Sequence, residues 1–186
     1  MADIVTICGS PSANSRSHFL LDYAKTYLEP QGFTCDAVSV LDVPPEDLIR
    51  ANFSSPHLLN IHQLVDSARA VIVATPVYKA TYTGALKTLL DLLPQYGFAN
   101  KLMLPIATGG TLAHLLAIDC GMKPLFSVMG ATHILRGVYV EDAQMPRKET
   151  GELTIDTTIE ERLKVALDEL AAVLQLRSPS QGTATT

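Results

Sequence analysis

Ala70-Val71-Ile72-Val73-Ala74-Thr75-Pro76-Val77-Tyr78-Lys79 is the stretch that decides the fold. Its first six residues are apolar or β-branched without interruption, and they read as a strand buried on both faces that Pro76 ends. Leu86, Leu89, Leu90 and Leu93 follow at helical spacing, and Pro94 closes that helix. Before the strand, residues 57–68 read as a helix, preceded by a loop carrying Pro44-Pro45 and Pro56. Further out, residues 4–8, 33–40, 101–107 and 133–140 supply four more short apolar strands. A helix from about residue 15 places Leu20, Leu21, Ala24, Tyr27 and Leu28 on one face, and Pro30 and Gly32 stop it. Another begins at Leu112 and is interrupted near Gly121 and Pro124. The last carries Ile159, Leu163, Ala166, Leu167, Leu170 and Leu174 on one face. Residues 1–176 form one expected domain, and the Pro/Gly/Ser/Thr-rich residues 177–186 an expected flexible tail.

Composition narrows the class. At 186 residues, 47% hydrophobic and 18% charged, the chain has material for a single core and is too apolar for disorder. Fourteen Lys and Arg against nineteen Asp and Glu give a net charge of −5 with no basic run, which argues against nucleic acid as a partner. Cys8, Cys35 and Cys120 lie far apart, so neither a disulfide framework nor a zinc knuckle is expected. His57 and His62 have no carboxylate at ligand spacing, so no metal site is expected either. Asp3 near the start and the lack of any run near the ~18 apolar residues of a membrane span point to a cytoplasmic protein with no membrane partner.

Five strands alternating with helices imply an α/β fold with a parallel sheet covered on both faces. Right-handed crossovers leave the flavodoxin-like, doubly wound, five-stranded order 2-1-3-4-5 as the best fit. Ligands of such sheets sit at the carboxyl ends of the strands where the order reverses, beside the loops after strands one, three and four.

Those loops are chemically suggestive. Gly9-Ser10-Pro11-Ser12-Ala13-Asn14-Ser15-Arg16-Ser17 offers hydroxyls, an amide and a guanidinium at a helix N-terminus, where backbone N–H groups favour an anion. It matches neither Walker A nor G-x-G-x-x-G, so a terminal monophosphate suits it better than a pyrophosphate. Taken alone, it reads equally well as an ordinary helix cap. Thr75-Pro76-Val77-Tyr78-Lys79 sets an aromatic ring and apolar surface at the same edge, though a lone surface Tyr is the commoner case. Thr108-Gly109-Gly110-Thr111 lets backbone N–H groups approach a heterocycle, or is a plain turn. Together the three loops supply a phosphate cradle, an aromatic wall and a donor loop in the order a flavin mononucleotide needs.

Gly9-Ser10-Pro11, Ser15-Arg16-Ser17, Ala74-Thr75-Pro76-Val77-Tyr78-Lys79-Ala80, residues 84–94 and Ala107-Thr108-Gly109-Gly110-Thr111 resemble the NAD(P)H-dependent FMN reductases. The nearest likeness is to the reductase component of two-component alkanesulfonate monooxygenase systems, and it runs from about Ile4 to Asp142. The resemblance implies FMN bound or transiently bound, reduction by NADPH with NADH not excluded, a homodimer or homotetramer, and a possible flavin-dependent monooxygenase as recipient. It places Ser10, Ser15, Arg16 and Ser17 at the phosphate, Pro76, Val77 and Tyr78 along the isoalloxazine, and Thr108, Gly109, Gly110 and Thr111 at its far edge. One position departs. Sulfonate-type members carry a Tyr in the stretch after His114, where this chain has Cys120, so the resemblance leaves FMN as either a released substrate or a retained group.

The implied reaction passes a hydride from nicotinamide to flavin N5, and it needs two stacked rings rather than a protein acid or base. Alternatives are an FMN-bound quinone, azo or metal-oxyanion reductase, and a flavodoxin-type electron carrier; the mild net charge of −5 speaks against the carrier. Arg16, Lys79 and Arg136 are candidate contacts for an NADPH 2′-phosphate.

Overall fold

The computed structural model describes residues 2–177, so nearly all of the tail expected at 177–186 lies outside the described residues. The chain runs β1 (Ile4–Cys8), α1 (Arg16–Leu28), β2 (Cys35–Ser39), α2 (Pro45–Ile49), α3 (Pro56–Ser67), β3 (Ala70–Tyr78) and β4 (Thr81–Tyr82). It continues through α4 (Gly84–Asp91), β5 (Leu102–Gly109), α5 (Lys123–Val128), β6 (His133–Ile134), β7 (Val138–Glu141) and α6 (Thr157–Leu176). Side-chain oxygens start the principal helices: Ser15 caps α1, Ser55 caps α3, Thr83 caps α4 and Asp156 caps α6, each accepting a backbone N–H of the first turn.

The sheet order is β2-β1-β3-β5 and then an edge made by β6 and β7, all parallel. This is the flavodoxin-like 2-1-3-4-5 order, with the split edge counting as one strand. Strand alternation builds two cores. Val5, Ile7, Val71, Val73, Met103 and Ala107 face α3, α4 and α5, where Leu58, Ile61, Leu86, Leu89 and Phe126 meet them. Ile4, Ile72, Ala74, Leu104 and Ile106 face α1 and α6, packing on Leu20, Leu28, Leu163, Leu167 and Leu170. Ala166, expected on the buried face of the last helix, is only partly buried; Ala171 takes a buried place there. Among the described residues, no helix is long and apolar enough to cross a membrane.

Three further expectations change. Pro76 does not end its strand, because β1 stops at the Cys8–Ala74 pair. Beyond that pair β3 has no neighbour on its β1 side that needs a proline N–H, while its other side stays in register with β5 at Pro76–Thr108. The fifth strand is broken into β6 and β7. Pro105, in register between those two pairings, offers no N–H, and Gly137 opposite it adopts φ +88° with its back against the Pro105 carbonyl. A Cβ there would lie 2.7 Å from that oxygen, so the edge bends around the proline. Third, the loop at Pro44-Pro45 contains the short α2, with Pro45 in the first helical position.

Candidate functional site

At the carboxyl edge, α4 is stapled to the ends of β1 and β3. The Thr83 hydroxyl donates to the Gly9 carbonyl (2.5 Å) and accepts from the Leu86 N–H (3.0 Å). The Thr83 N–H in turn reaches the Thr75 hydroxyl at 3.2 Å. Gly9 donates its own N–H to the Ala74 carbonyl at 2.8 Å. A Cβ on Gly9 would sit 2.7 Å from Leu86 Cβ, so only glycine lets the helix come this close. Sequence reading could see Thr83 as a helix cap, but not that it clamps two strand ends.

The β1–α1 loop lies above this base. Ser10 is buried, and its hydroxyl accepts the Ser12 N–H at 3.2 Å. Ser15 caps α1 by accepting the His18 N–H at 3.2 Å. Among the described residues the first-turn amides of Arg16 and Ser17 meet no protein acceptor, as helix geometry requires. The Ser17 hydroxyl is fully buried and also without a partner among them. Free amides at a helix start, the Ser15 hydroxyl and an orphaned serine oxygen are a donor set that fits a phosphate group.

Arg16 is committed elsewhere. Its Nε donates to the Met145 carbonyl (3.1 Å) and its guanidinium pairs with Asp142 at 3.3 Å, so it braces α1 against the segment after β7. Arg147, which sequence reading passed over, donates to the carbonyls of Asn14 and Gly151 and thus straps the loop from outside. No local signal could have found it, because the contact to Asn14 spans 133 positions. Cys8 ends β1 beneath the loop, and burial pushes its thiol up to about 11, so it stays protonated at neutral pH. Burial does the same for Cys35, also to about 11.

The second loop is a hairpin that the sequence concealed. Tyr78 pairs with Thr81 and Val77 with Tyr82, and the two intervening residues, Lys79 (φ 51°) and Ala80 (φ 71°), both adopt the left-handed conformation. This is the two-residue turn whose twist matches the strands, usually built from Asn-Gly rather than Lys-Ala. Pro76 and Val77 are half-buried and Tyr78 is 54% exposed, so an apolar ledge ends in an open aromatic ring.

In the third loop, Thr108 and Gly109 are buried at the end of β5 while Gly110 and Thr111 are exposed. The Tyr139 hydroxyl donates to the Thr111 carbonyl at 2.6 Å, fixing the loop to β7. Burial, aided by the charges of Glu141 and Asp142, raises the Tyr139 phenol above its ordinary value, so it remains a donor. A Cβ on Gly110 would meet no atom within 4 Å, which leaves room for a ligand to approach the backbone. The chain then makes a 3-10 turn, Leu112–His114, in which the His114 Nδ1 is buried without a partner among the described residues.

Cys120 is exposed on a π-helical stretch, Ala117–Met122. Its neighbour Gly121 packs so close to Thr81 and Tyr82 that a Cβ would lie 2.7 Å from the Thr81 hydroxyl. Of the three cations considered for a 2′-phosphate, Arg16 and Lys79 stand at this edge. Arg136 lies in the break between β6 and β7 and lines a separate groove with Glu161 and Arg162.

A sheet of this order, with a phosphate-type donor set, an apolar ledge and a glycine loop gathered where the strand order reverses, defines a mononucleotide-binding α/β protein of flavodoxin type. The family model for NADPH-dependent FMN reductase matches residues 2–145, and the chain belongs to that family. It is 45% identical over 175 residues to the FMN reductase (NADPH) of Pseudomonas putida, covering 94% of this chain and 89% of that one. To the FMN reductase (NADPH) of Escherichia coli K12 it is 47% identical over 142 residues, 76% of this chain and 74% of the relative. The crystal structure of an NADH:FMN oxidoreductase (EMOB) in its apo form superposes with a TM-score of 0.82 at 33% identity, covering 98% and 92% of the two chains.

Proposed function

We propose that this chain carries out its family's reaction, NAD(P)H-dependent reduction of FMN, on the rim formed by the three loops. The observation that carries the proposal is the unspent donor set at the start of α1, one loop away from an exposed glycine backbone at the end of β5. When bound, FMN supplies the chemistry by accepting a hydride from the nicotinamide.

The residues bind and orient. Ser15, the α1 amides and Ser17 hold the phosphate, while Ser10 shapes the loop through Ser12. Arg16 contributes through the bracing of α1 and through its positive charge rather than as a free fork. Pro76, Val77 and Tyr78 form the ledge for the ring system. Gly109 keeps the β5 end thin, and the Gly110–Thr111 backbone presents N–H groups where negative charge develops on reduction. Thr108 acts from beneath, as its burial requires. Rapid mixing of the FMN-loaded protein with NADPH without oxygen tests this: flavin absorbance bleaches within the turnover time, and absence of bleaching refutes the reading.

The family relatives named for NADPH and the structural neighbour named for NADH leave both nicotinamides as substrates, with NADPH the first choice. A homodimer or homotetramer is supported by the apolar groove that Tyr82, Leu90, Pro94, Cys120, Leu125 and Val128 line, with Val128 75% exposed. Sedimentation velocity giving a monomer would overturn that assignment. The exposed ledge suits hand-over of reduced FMN to a flavin-dependent monooxygenase, and three free thiols suit the cytoplasm.

A further inference from the structure

His18 occupies the third position of α1 and contacts Cys8, Ser12 and Ser15 around the loop and Ser39 beside it. Its Nδ1 lies 3.1 Å from the Ser12 carbonyl, 3.0 Å from the Ser15 hydroxyl and 3.2 Å from the Cys8 sulfur. Its Nε2 lies 3.4 Å from the Ser39 hydroxyl at the end of β2. One ring therefore ties the ends of two adjacent strands, in register at Cys8–Ser39, to the loop that joins β1 to α1.

We infer that His18 is a positioning residue that sets the FMN phosphate site by donating its Nδ1 proton to the Ser12 carbonyl, which holds the loop and leaves the Ser15 hydrogen unclaimed by the ring. This rests on the reading that the loop takes the phosphate. Ser15 Oγ already accepts the His18 N–H and has one hydrogen to give. If the imidazole Nδ1 carried only a lone pair, the Ser15 hydrogen would turn inward to it and be lost to a ligand. With the proton on Nδ1, the ring donates to the Ser12 carbonyl, a pure acceptor. The Ser39 hydroxyl, whose oxygen accepts the Leu41 N–H, can then donate to Nε2. In that tautomer the loop is held at Ser12, and the Ser15 hydrogen is not drawn to the ring and can turn to a phosphate oxygen. The buried Cys8 thiol cannot take the proton's place, since it neither ionises near neutrality nor reaches Ser12 in any contact seen.

Flavins with and without the phosphate separate this role from general packing. Dissociation constants for FMN and for riboflavin, which lacks the phosphate, are read by quenching of flavin fluorescence in the wild type, His18→Leu and His18→Asn. His18→Leu weakens FMN about fivefold to tenfold, the scale of one lost hydrogen bond, and leaves riboflavin within about twofold. His18→Asn keeps an N–H close to the Nδ1 position and restores FMN affinity to within about twofold of wild type. Equal weakening of both flavins, or unchanged FMN affinity, overturns the inference, as does failure of the asparagine to rescue. A wild type that binds riboflavin as tightly as FMN overturns instead the phosphate reading on which it rests.

Discussion

Gly109 and Tyr139 give the sharpest test of how the third loop is built, because one atom pair couples them. A Cβ added at Gly109 lies 2.5 Å from the Tyr139 hydroxyl oxygen, with Tyr139 Cζ at 3.4 Å and Val77 Cβ at 3.5 Å. Tyr139 is only 2% exposed and packs in the core facing α3, α4 and α5, so its ring cannot swing away. Gly109→Ala therefore displaces the hydroxyl, costing about 1–3 kcal/mol of overpacking. It also breaks the bond to the Thr111 carbonyl, about 1 kcal/mol more. Tyr139→Phe alone loses that bond, and water can reach the exposed Thr111, so the cost is about 0.5–1.5 kcal/mol. In the double variant the clashing oxygen is gone and the remaining contacts are ordinary. Gly109 is not at positive φ, so alanine even gains about 0.4–1 kcal/mol through the unfolded chain. The double variant should thus be no less stable than Tyr139→Phe alone, a coupling of about 2 kcal/mol or more. Urea unfolding of the four proteins measures it through their midpoints at constant slope. Energies that add to within about 0.5 kcal/mol would refute the geometry.

Two further outcomes follow from other parts of the fold. Ala80→Gly should raise the unfolding free energy by about 0.5–1 kcal/mol, and the urea midpoint with it, because relief of a left-handed alanine outweighs the added chain entropy of glycine; a lower midpoint would mean that the Lys79–Ala80 turn is not the one described. For Asp3, burial raises the carboxyl pKa, but the Thr34 hydrogen bonds and Arg69 outweigh it and leave the pKa below 3.8. Its stabilisation is present above that value and is lost as pH falls through the lower folded pKa, so the stability of Asp3→Asn should fall less steeply with acid there, and an unchanged slope in acid titrations of unfolding contradicts this.

Much of this protein was legible in the order of its residues. Five apolar runs separated by amphipathic helices leave few ways to cover a sheet on both faces, and the sheet order then fixes which loops share an edge. Short-range chemistry marked the candidate site as well: Ser15 stands before a helix, and paired glycines stand at the end of a strand. Other features were decided only by the tertiary structure, because they depend on residues distant in sequence that share a boundary. Pro76 continues a strand because the neighbouring strand has ended, and Pro105 breaks an edge that lies about thirty positions further on. Arg16 looks like a free phosphate ligand until Asp142 and the Met145 carbonyl claim it, and Arg147 and His18 gain meaning only from the loop they hold. Periodicity and local propensity say what each segment can form. Which hydrogen bonds are already spent is a property of the packed whole, and that accounting decides which donors remain for a ligand.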